Sequence, residues 1–168
     1  MHTFQPYPVD LIEFDPFTKI GKEWMLITAS NGEKTNAMTA SWGGVGVLWG
    51  KNTAFIFVRD SRYTKELIDQ SDYFSLTFFD KSYKNALKYF GAVSGRDEDK
   101  IEAAKMHVNH FQKIPYIDEG NFVICCKKMS ATPILPEQFL DSEIESTWYK
   151  DKDWHTLYVG EIEQILAR

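Results

Sequence analysis

Apolar residues occur along this chain in short runs rich in β-branched and aromatic side chains, a pattern typical of strands rather than of long helices. The strands predicted from these runs are 24–29, 37–42, 53–58, 73–79, 122–126 and 157–165. Asn31-Gly32 closely follows the first strand and is a strong signal for a tight hairpin turn. The pattern therefore predicts a protein built mainly from antiparallel strands.

Helical segments are predicted to be few and short. Each follows a residue suited to a helix start: 65–70 after Thr64, 83–90 after Ser82 and 98–106 after Asp97. Gly91 is expected to end the second helix. Because strands dominate, we expect a mainly β, α+β fold in which short helices are inserted into a closed or nearly closed β-barrel. No repeat or linker divides the chain, so residues 1–168 are expected to form a single domain.

Charge and composition indicate which kinds of partner this protein is expected to bind. The 168 residues include 24 acidic and 19 basic side chains, for a net charge of −5, so nucleic acid is not expected as a main partner. No apolar stretch approaches the roughly 20 residues that span a bilayer, and residues 1–6 lack a signal-peptide pattern. A cytoplasmic location without membrane association is therefore expected. Aromatic residues make up 15% of the chain, which suits both a β-rich core and a site for a flat ring.

The two cysteines are adjacent, at Cys125 and Cys126. Neighbours on a strand point to opposite faces and rarely form a disulfide, which agrees with a reducing cytoplasm. Neither a Cys-x-x-Cys nor a Cys/His spacing supports a redox or metal role, so no metal site is expected. We interpret both cysteines as buried strand residues.

Several common catalytic and nucleotide-binding motifs are absent. Gly43-Gly44-Val45-Gly46 does not lead into a predicted helix, so it is not the dinucleotide-binding signature Gly-x-Gly-x-x-Gly. The chain also contains no Gly-x-Ser-x-Gly, no His-Glu-x-x-His and no Walker loop. These absences argue against hydrolase, zinc protease and nucleotidase functions.

One face of the strand predicted at 37–42 carries only small side chains, Ala37, Thr39 and Ser41. Such a face lets a flat ligand approach the backbone closely while the hydroxyls form hydrogen bonds. A surface strand with outward Thr and Ser would have the same pattern, so both interpretations stay open.

Two further segments suggest a phosphate site. Arg59 and Arg62 lie between a buried strand and a helix capped by Thr64, where guanidinium groups and the helix dipole favour an anion. Ser94 and Lys100 belong to a Gly-containing loop and the helix start that follows it. Solvated arginines at a strand end and a capped helix with surface charges are the alternatives. Three such segments in a net-acidic chain are more persuasive together, because they could converge on one ligand.

Taken in order, these segments resemble the flavin reductase-like family of FMN-binding split barrels, and most closely its flavoredoxin-like branch. The resemblance runs from about Trp24 to the end of the chain. The matching stretches are 35–39 with Ser41-Trp42, Val58-Arg59 with 62–64, Phe78-Phe79, 94–97 with Asp99-Lys100, Asp153-Trp154-His155 and 159–162.

The resemblance implies a homodimer that binds FMN near its subunit interface. The cofactor-binding positions that it implies are Asn36, Ala37, Met38, Thr39, Ser41 and Trp42 along the isoalloxazine ring, and Arg59, Arg62, Tyr63, Thr64, Ser94 and Lys100 around the phosphate and ribityl chain. A phosphate needs cations and hydroxyls while the ring needs a flat slot, so the implied set is chemically consistent.

His155 is the one candidate for a catalytic role. Simpler two-component flavin reductases carry Gly-Asp-His where this chain has Asp153-Trp154-His155, so Trp154 separates the acid from the histidine. His155 is expected either to contact flavin or nicotinamide or to be a hydrogen-bonded structural histidine, and we favour the structural role.

The activity that the resemblance implies is hydride transfer from NADH or NADPH to flavin N5, with the electrons passed to an acceptor. The alternative is an FMN-bound electron carrier reduced by a protein partner, because no nicotinamide subsite is identifiable in the sequence. A flavin-free binding module on the same fold is a third interpretation.

Overall fold

The computed structural model describes residues 1–168 and contains ten β-strands and five short α-helices. The strands are β1 (Gln5–Tyr7), β2 (Met25–Ser30), β3 (Thr35–Ala40), β4 (Gly43–Leu48), β5 (Lys51–Arg59), β6 (Tyr73–Phe78), β7 (Val108–Phe111), β8 (Ile114–Ile117), β9 (Phe122–Pro133) and β10 (His155–Ala167). The α-helices are α1 (Pro16–Thr18), α2 (Tyr63–Asp69), α3 (Lys84–Ala92), α4 (Lys100–Ala103) and α5 (Ser142–Trp148). Short 3-10 turns lie at Val9–Leu11, Lys81–Tyr83 and Pro136–Gln138, and a π-helical segment spans Lys19–Glu23.

One antiparallel sheet dominates the fold, with the strand order β3-β2-β6-β9-β10-β5-β4. β1 pairs with β10 outside this path, and β7 and β8 form a separate hairpin. The two edge strands, β3 and β4, are joined only by Ser41 and Trp42. Because so short a link holds the edges close together, the sheet curls into a barrel that stays open between β3 and β4. The predicted mainly β, barrel-like fold with short helices is confirmed.

Two buried clusters lie on opposite sides of β3. Met38 faces the barrel interior, where Phe74 and Tyr158 are among the largest fully buried side chains. Ala37 faces the other way and belongs to the cluster formed with Leu87 and Phe90 of α3. The predicted alternation is confirmed, but α3 covers the small-residue face, so the surface-strand interpretation is wrong.

Every predicted strand is present, although several boundaries differ. The strand predicted at 37–42 ends at Ala40, whereas β9 and β10 extend beyond their predicted ends to Pro133 and Ala167. β4 was not predicted, because three of its six residues are glycines, which are depleted in strands. At Gly43, with φ of 150°, a Cβ would lie 2.5 Å from the carbonyl oxygen of Phe55 on β5. The close pairing of these two strands therefore requires glycine at that position.

The predicted helix ends are wrong in three places. Thr64 lies inside α2, where Arg62 is the N-cap residue. Gly91 lies inside α3, which ends only where Val93 becomes extended. Asp99 rather than Asp97 caps α4, because its carboxylate accepts the backbone N–H groups of residues 101 and 102 at 3.1 and 3.0 Å. Only at α4 does a second favoured capping residue explain the difference. The observed ends of α2 and α3, at Arg62 and Val93, carry no favoured capping side chain, so cap chemistry did not predict them.

Cys125 and Cys126 are free, fully buried and on opposite faces of β9, as predicted. Burial raises the pKa of the Cys125 thiol to about 12 and that of Cys126 well above its usual range. Both therefore stay protonated and unreactive at neutral pH. None of the helices is both long and apolar enough to cross a lipid bilayer.

Candidate functional site

Two adjoining cavities open beside the split in the barrel. The first, which we call the aromatic cavity, has a volume of about 290 Å³, and the second, the helix cavity, about 200 Å³. The aromatic cavity is lined by Met38, Thr39, Ala40, Ser41, Trp42, Phe57, Arg59, Arg62, Trp148 and His155. The helix cavity is lined by Asn36, Met38, Ser61, Arg62, Tyr63, Thr64, Ala92, Val93, Ser94, Gly95 and Lys100. Met38 and Arg62 line both cavities, so the two form one bent groove.

The groove brings together every residue predicted to bind a cofactor except Ala37, which packs against α3 instead. Ala37 was included because it shares the small-residue face of the strand and because the resemblance implies the whole run 36–42. Its side chain is instead buried in the cluster with α3, while Thr39 and Ser41, further along the same face, reach the aromatic cavity. A larger cleft of about 890 Å³ continues from the helix cavity through Asn36 and Tyr63, but charged side chains dominate its lining.

Two cations, the buried Lys100 and the half-buried Arg62, meet on one side of the helix cavity. Lys100 is only 2% exposed and donates from Nζ to the carbonyl oxygen of Phe90 at 2.9 Å. Arg62 donates to the same oxygen at 3.3 Å and to the carbonyl oxygen of Gly91 at 2.9 Å. Both therefore bind the C-terminal end of α3, where the helix dipole favours positive charge.

The environment nevertheless disfavours the charged forms of this pair. Burial, and next the charge of Arg62, lower the pKa of Lys100 to about 8. Burial likewise lowers the pKa of Arg62, although Asp153 opposes the shift. A bound anion would relieve both effects, since an opposite charge favours the ionised forms. The hydroxyls of Thr64 and Ser94 complete a donor set suited to a phosphate.

The loop before α4 fits tightly against β3 and α2. Asn36 donates from Nδ2 to Thr64 Oγ1 at 2.9 Å, and a Cβ at position 95 would lie 2.4 Å from Asn36 Oδ1. Only glycine fits there without displacing Asn36. Arg96 donates to the carbonyl oxygen of Ser61 at 2.9 Å and forms an ion pair with Glu66. These contacts hold the helix cavity in one shape.

The aromatic cavity has walls of flat rings. Trp42 lies 4.8 Å from the ring of His155, tilted by 38°, and 5.2 Å from the ring of Trp148, nearly perpendicular to it. Thr39 and Ser41 bring hydroxyls to the same space, although Thr39 Oγ1 already donates to the carbonyl oxygen of Leu87 at 2.5 Å. Such walls suit a flat, conjugated ligand.

His155 lies at the start of β10 and is 6% exposed. Its Nδ1 is 2.7 Å from the hydroxyl of Tyr149. Burial, and next the charge of Arg59, lower the pKa of His155 to about 4, with Asp153 opposing the shift. The imidazole is therefore neutral at neutral pH.

Arg59 lies at the edge of the aromatic cavity with both of its terminal nitrogens already paired. It donates to the carbonyl oxygens of Asp153 at 2.7 Å and Trp148 at 3.0 Å. Asp153 in turn accepts from the backbone N–H of Ser61 at 3.0 Å and its hydroxyl at 2.5 Å. Arg59 thus holds the segment 148–153 against the end of β5, a role that the sequence did not indicate.

Sequence reasoning missed Phe57 and Trp148, which line the aromatic cavity, and Tyr149, which contacts His155 from outside the lining. Phe57 belongs to a run that predicts only a buried strand. Trp148 ends α5, a helix that was not predicted, and remains 53% exposed. A tryptophan in an otherwise polar segment is the one signal that pointed to this wall. No group of His, Cys, Asp and Glu side chains is arranged to hold a metal ion.

Fold and groove together define a split-barrel protein with a site suited to a flat ligand that carries a phosphate. The family model of the flavin reductase like domain matches residues 17–168. The chain therefore belongs to the flavin reductase-like family, and this membership supports a flavin-binding redox function.

Solved structures of the same fold agree with this assignment. A flavoredoxin from Methanosarcina acetivorans is 23% identical, with a TM-score of 0.69 over 87% of this chain and 68% of that one. The FMN-binding domain of a flavin reductases-like enzyme from Shewanella baltica OS155 is 12% identical, with a TM-score of 0.69 over 98% of this chain and 77% of that one. A protein with a split barrel domain from Shewanella frigidimarina NCIMB 400 is 15% identical, with a TM-score of 0.69 over 95% of this chain and 76% of that one. No curated protein sequence matches the chain.

Proposed function

We propose that this protein binds FMN, with the phosphate in the helix cavity and the isoalloxazine ring in the aromatic cavity. The observation that carries the proposal is the pairing of the half-buried Arg62 with the buried Lys100. Both donate to the carbonyl oxygen of Phe90, and the pKa values of both stay below their usual range. A terminal phosphate dianion matches this pair better than the internal diphosphate of FAD would. The FMN-binding domain from S. baltica has the same fold.

Each cavity has a distinct task in this proposal. Lys100, Arg62, Thr64 and Ser94 bind the phosphate, while Asn36 and Tyr63 border the ribityl chain. Trp42 and His155, with the hydroxyls of Thr39 and Ser41, enclose the ring. The walls exclude water from one side of the ring and fix its orientation.

Bound FMN supplies the hydride-accepting centre, so we propose an oxidoreductase that takes a hydride from NADH or NADPH and passes the electrons to an acceptor. The protein then needs no acid–base pair of its own. Consistent with this, His155 is neutral and paired with Tyr149 rather than with a carboxylate.

An FMN-bound electron carrier, reduced by a protein partner instead of a nicotinamide, is the second candidate. Trp148 favours it, because this side chain is 53% exposed at the mouth of the aromatic cavity, where a partner could approach. A flavoredoxin is also among the structures of the same fold.

We further propose a cytoplasmic homodimer. The β4–β5 hairpin at the sheet edge exposes two large apolar side chains, Val47 at 73% and Trp49 at 61%. Burying them against a second copy would remove apolar surface from water and would extend the walls of a shallow site.

Anaerobic titration of the purified protein tests the proposed flavin binding and the proposed reaction with NADH or NADPH. We expect a yellow protein that releases FMN on denaturation and is bleached by stoichiometric NADH or NADPH. A chromophore that is mostly FAD would refute the choice of flavin, and a colourless protein that FMN cannot reconstitute would refute flavin binding itself. Bleaching by dithionite but by neither nicotinamide would favour the electron carrier.

A further inference from the structure

The hydrogen bond between Tyr149 and His155 has a direction that the surrounding structure determines. The hydroxyl of Tyr149 has no other partner, and both residues are buried, at 4% and 6% exposure. If Nδ1–H donated to the phenol oxygen, the phenol O–H would have no acceptor inside the protein. A buried donor without a partner is costly, so the phenol donates and Nδ1 accepts.

This direction assigns the single proton of the neutral ring to Nε2. Nε2 has no hydrogen-bond partner within the protein. The unpaired side-chain atoms without any exposed surface are Thr28 Oγ1 and Tyr89 Oη, so Nε2 keeps some exposed surface. Since the His155 ring lines the aromatic cavity, this nitrogen is accessible from that cavity. Its N–H is therefore a free donor beside Trp42.

Tyr149 is itself held in place by its neighbours. Its ring packs against Phe139, at 5.5 Å and 19°, and against Trp154, at 4.9 Å and 30°, and these two rings also contact each other. The guanidinium of Arg59 lies 5.4 Å from the same ring. The phenol cannot rotate away from His155 without breaking this stack.

We infer that Tyr149 is a positioning residue that fixes His155 in the Nε2–H tautomer, so that the ring offers a hydrogen-bond donor to an acceptor atom of the ligand in the aromatic cavity. The identity of that ligand as a flavin rests on the function proposed above, whereas the tautomer does not. An acceptor on the ring edge, such as a carbonyl oxygen or an unprotonated ring nitrogen, is what the donor would meet.

Long-range ¹H–¹⁵N NMR of the flavin-free protein at pH 7.5 tests the tautomer directly. The chain has 4 histidines, so the His155 signals are assigned by their loss in His155→Gln. We expect the Nε2–H form in the wild type and a mixture of both tautomers in Tyr149→Phe, which keeps the stacked ring. An Nδ1–H form in the wild type would overturn the inference, and this measurement needs no variant of Tyr149 to fold.

The second measurement is binding of FMN, followed by flavin fluorescence and by the same His155 signals. We expect Tyr149→Phe to raise the dissociation constant by about three- to tenfold, as for the loss of one well-placed hydrogen bond. Tyr89→Phe is the matched control, since it removes a phenol hydroxyl from a residue that lines neither cavity, and it should change neither tautomer nor affinity. If saturating FMN does not shift the His155 signals, the inferred hydrogen bond from His155 to the ligand is wrong. A protein that binds no FMN but shows the Nε2–H form would refute the proposed function and leave the role of Tyr149 in setting the tautomer intact.

Discussion

At the scale of single residues, the electrostatics of the helix cavity depend on two cations that share one carbonyl oxygen. Arg62 and Lys100 are stabilised by the C-terminal dipole of α3, but burial still lowers both pKa values, and the charge of Arg62 lowers that of Lys100 further. Charged groups held at such a cost are typical of functional sites. A phosphate would supply the missing counter-charge.

Arg62→Ala should weaken FMN binding by about 1.5–3 kcal/mol, the range for a hydrogen bond to a charged group, or roughly ten- to hundredfold in the dissociation constant. Arg168→Ala is a matched control, because Arg168 also donates to two backbone carbonyls, at 2.7 and 3.1 Å, but lies outside both cavities. Quenching of flavin fluorescence measures both variants. Equal affinity of Arg62→Ala and wild type would mean that this arginine only supports the fold.

FMN affinity should fall as the pH rises through about 8, where Lys100 loses its proton in the free protein. A bound phosphate favours the charged lysine, so binding takes up a proton and the dissociation constant rises by at most about tenfold per pH unit. Lys100→Arg stays charged throughout and should show a flat profile between pH 7 and 9.5. The same slope in wild type and Lys100→Arg would exclude Lys100 as its source.

At the scale of secondary-structure elements, close contacts between strands determine what the barrel tolerates. Gly160 lies where the register between β10 and β9 shifts. A Cβ there would approach the buried ring of Phe74 to 2.6 Å and Cys126 Cβ to 2.8 Å. Neither neighbour is a flexible surface group, so the strands would have to separate.

Gly160→Ala should therefore lower the free energy of unfolding by about 1–3 kcal/mol, as expected for an overpacked core. Gly21→Ala is its control, because a Cβ at that position meets nothing within 4 Å. Urea denaturation followed by tryptophan fluorescence compares the two. If both variants unfold at the same urea concentration, the contact between β9 and β10 is looser than described.

Elements also explain how the site is closed. Segment 148–153 reaches the end of β5 through Arg59, and Asp153 binds Ser61 before α2. The wall formed by Trp148 and His155 therefore depends on contacts between distant parts of the chain. Arg59 and Asp153, for example, are 94 residues apart in sequence.

At the scale of the whole molecule, a shallow groove at the split of a barrel gives a three-ring ligand little depth. A second subunit is the simplest source of further walls, and a two-fold interface is the commonest arrangement. Val47 and Trp49 are the exposed apolar residues that such an interface would cover.

We expect light scattering at micromolar concentration to give twice the chain mass of 19.5 kDa. Trp49→Glu should shift the mass toward the monomer, whereas Leu140→Glu, which changes a fully exposed side chain elsewhere, should not. Dilution that releases flavin and dissociates the dimer together would link the two events. A monomer that keeps its flavin fully bound would refute both the dimer and a shared site.

The sequence alone determined the local features of this protein. The six predicted strands, the hairpin at Asn31-Gly32 and the burial of Cys125 and Cys126 follow from side-chain alternation and turn chemistry, which depend on neighbours within a few residues. The hydroxyls and cations of the helix cavity were also identifiable, because they lie close to strand ends and a glycine loop.

Only the tertiary structure decided which of these groups meet. It turned Ala37 toward α3, occupied Arg59 with the carbonyls of residues 148 and 153, and placed Tyr149 against His155. The Arg59 contacts join residues that are distant in sequence, and the position of Ala37 depends on which face of a strand a helix covers. Tyr149 and His155 are only six residues apart, but they meet because the segment between them folds against the end of β5. Strand order and core packing decide which residues meet in this way, and local sequence patterns carry no information about either.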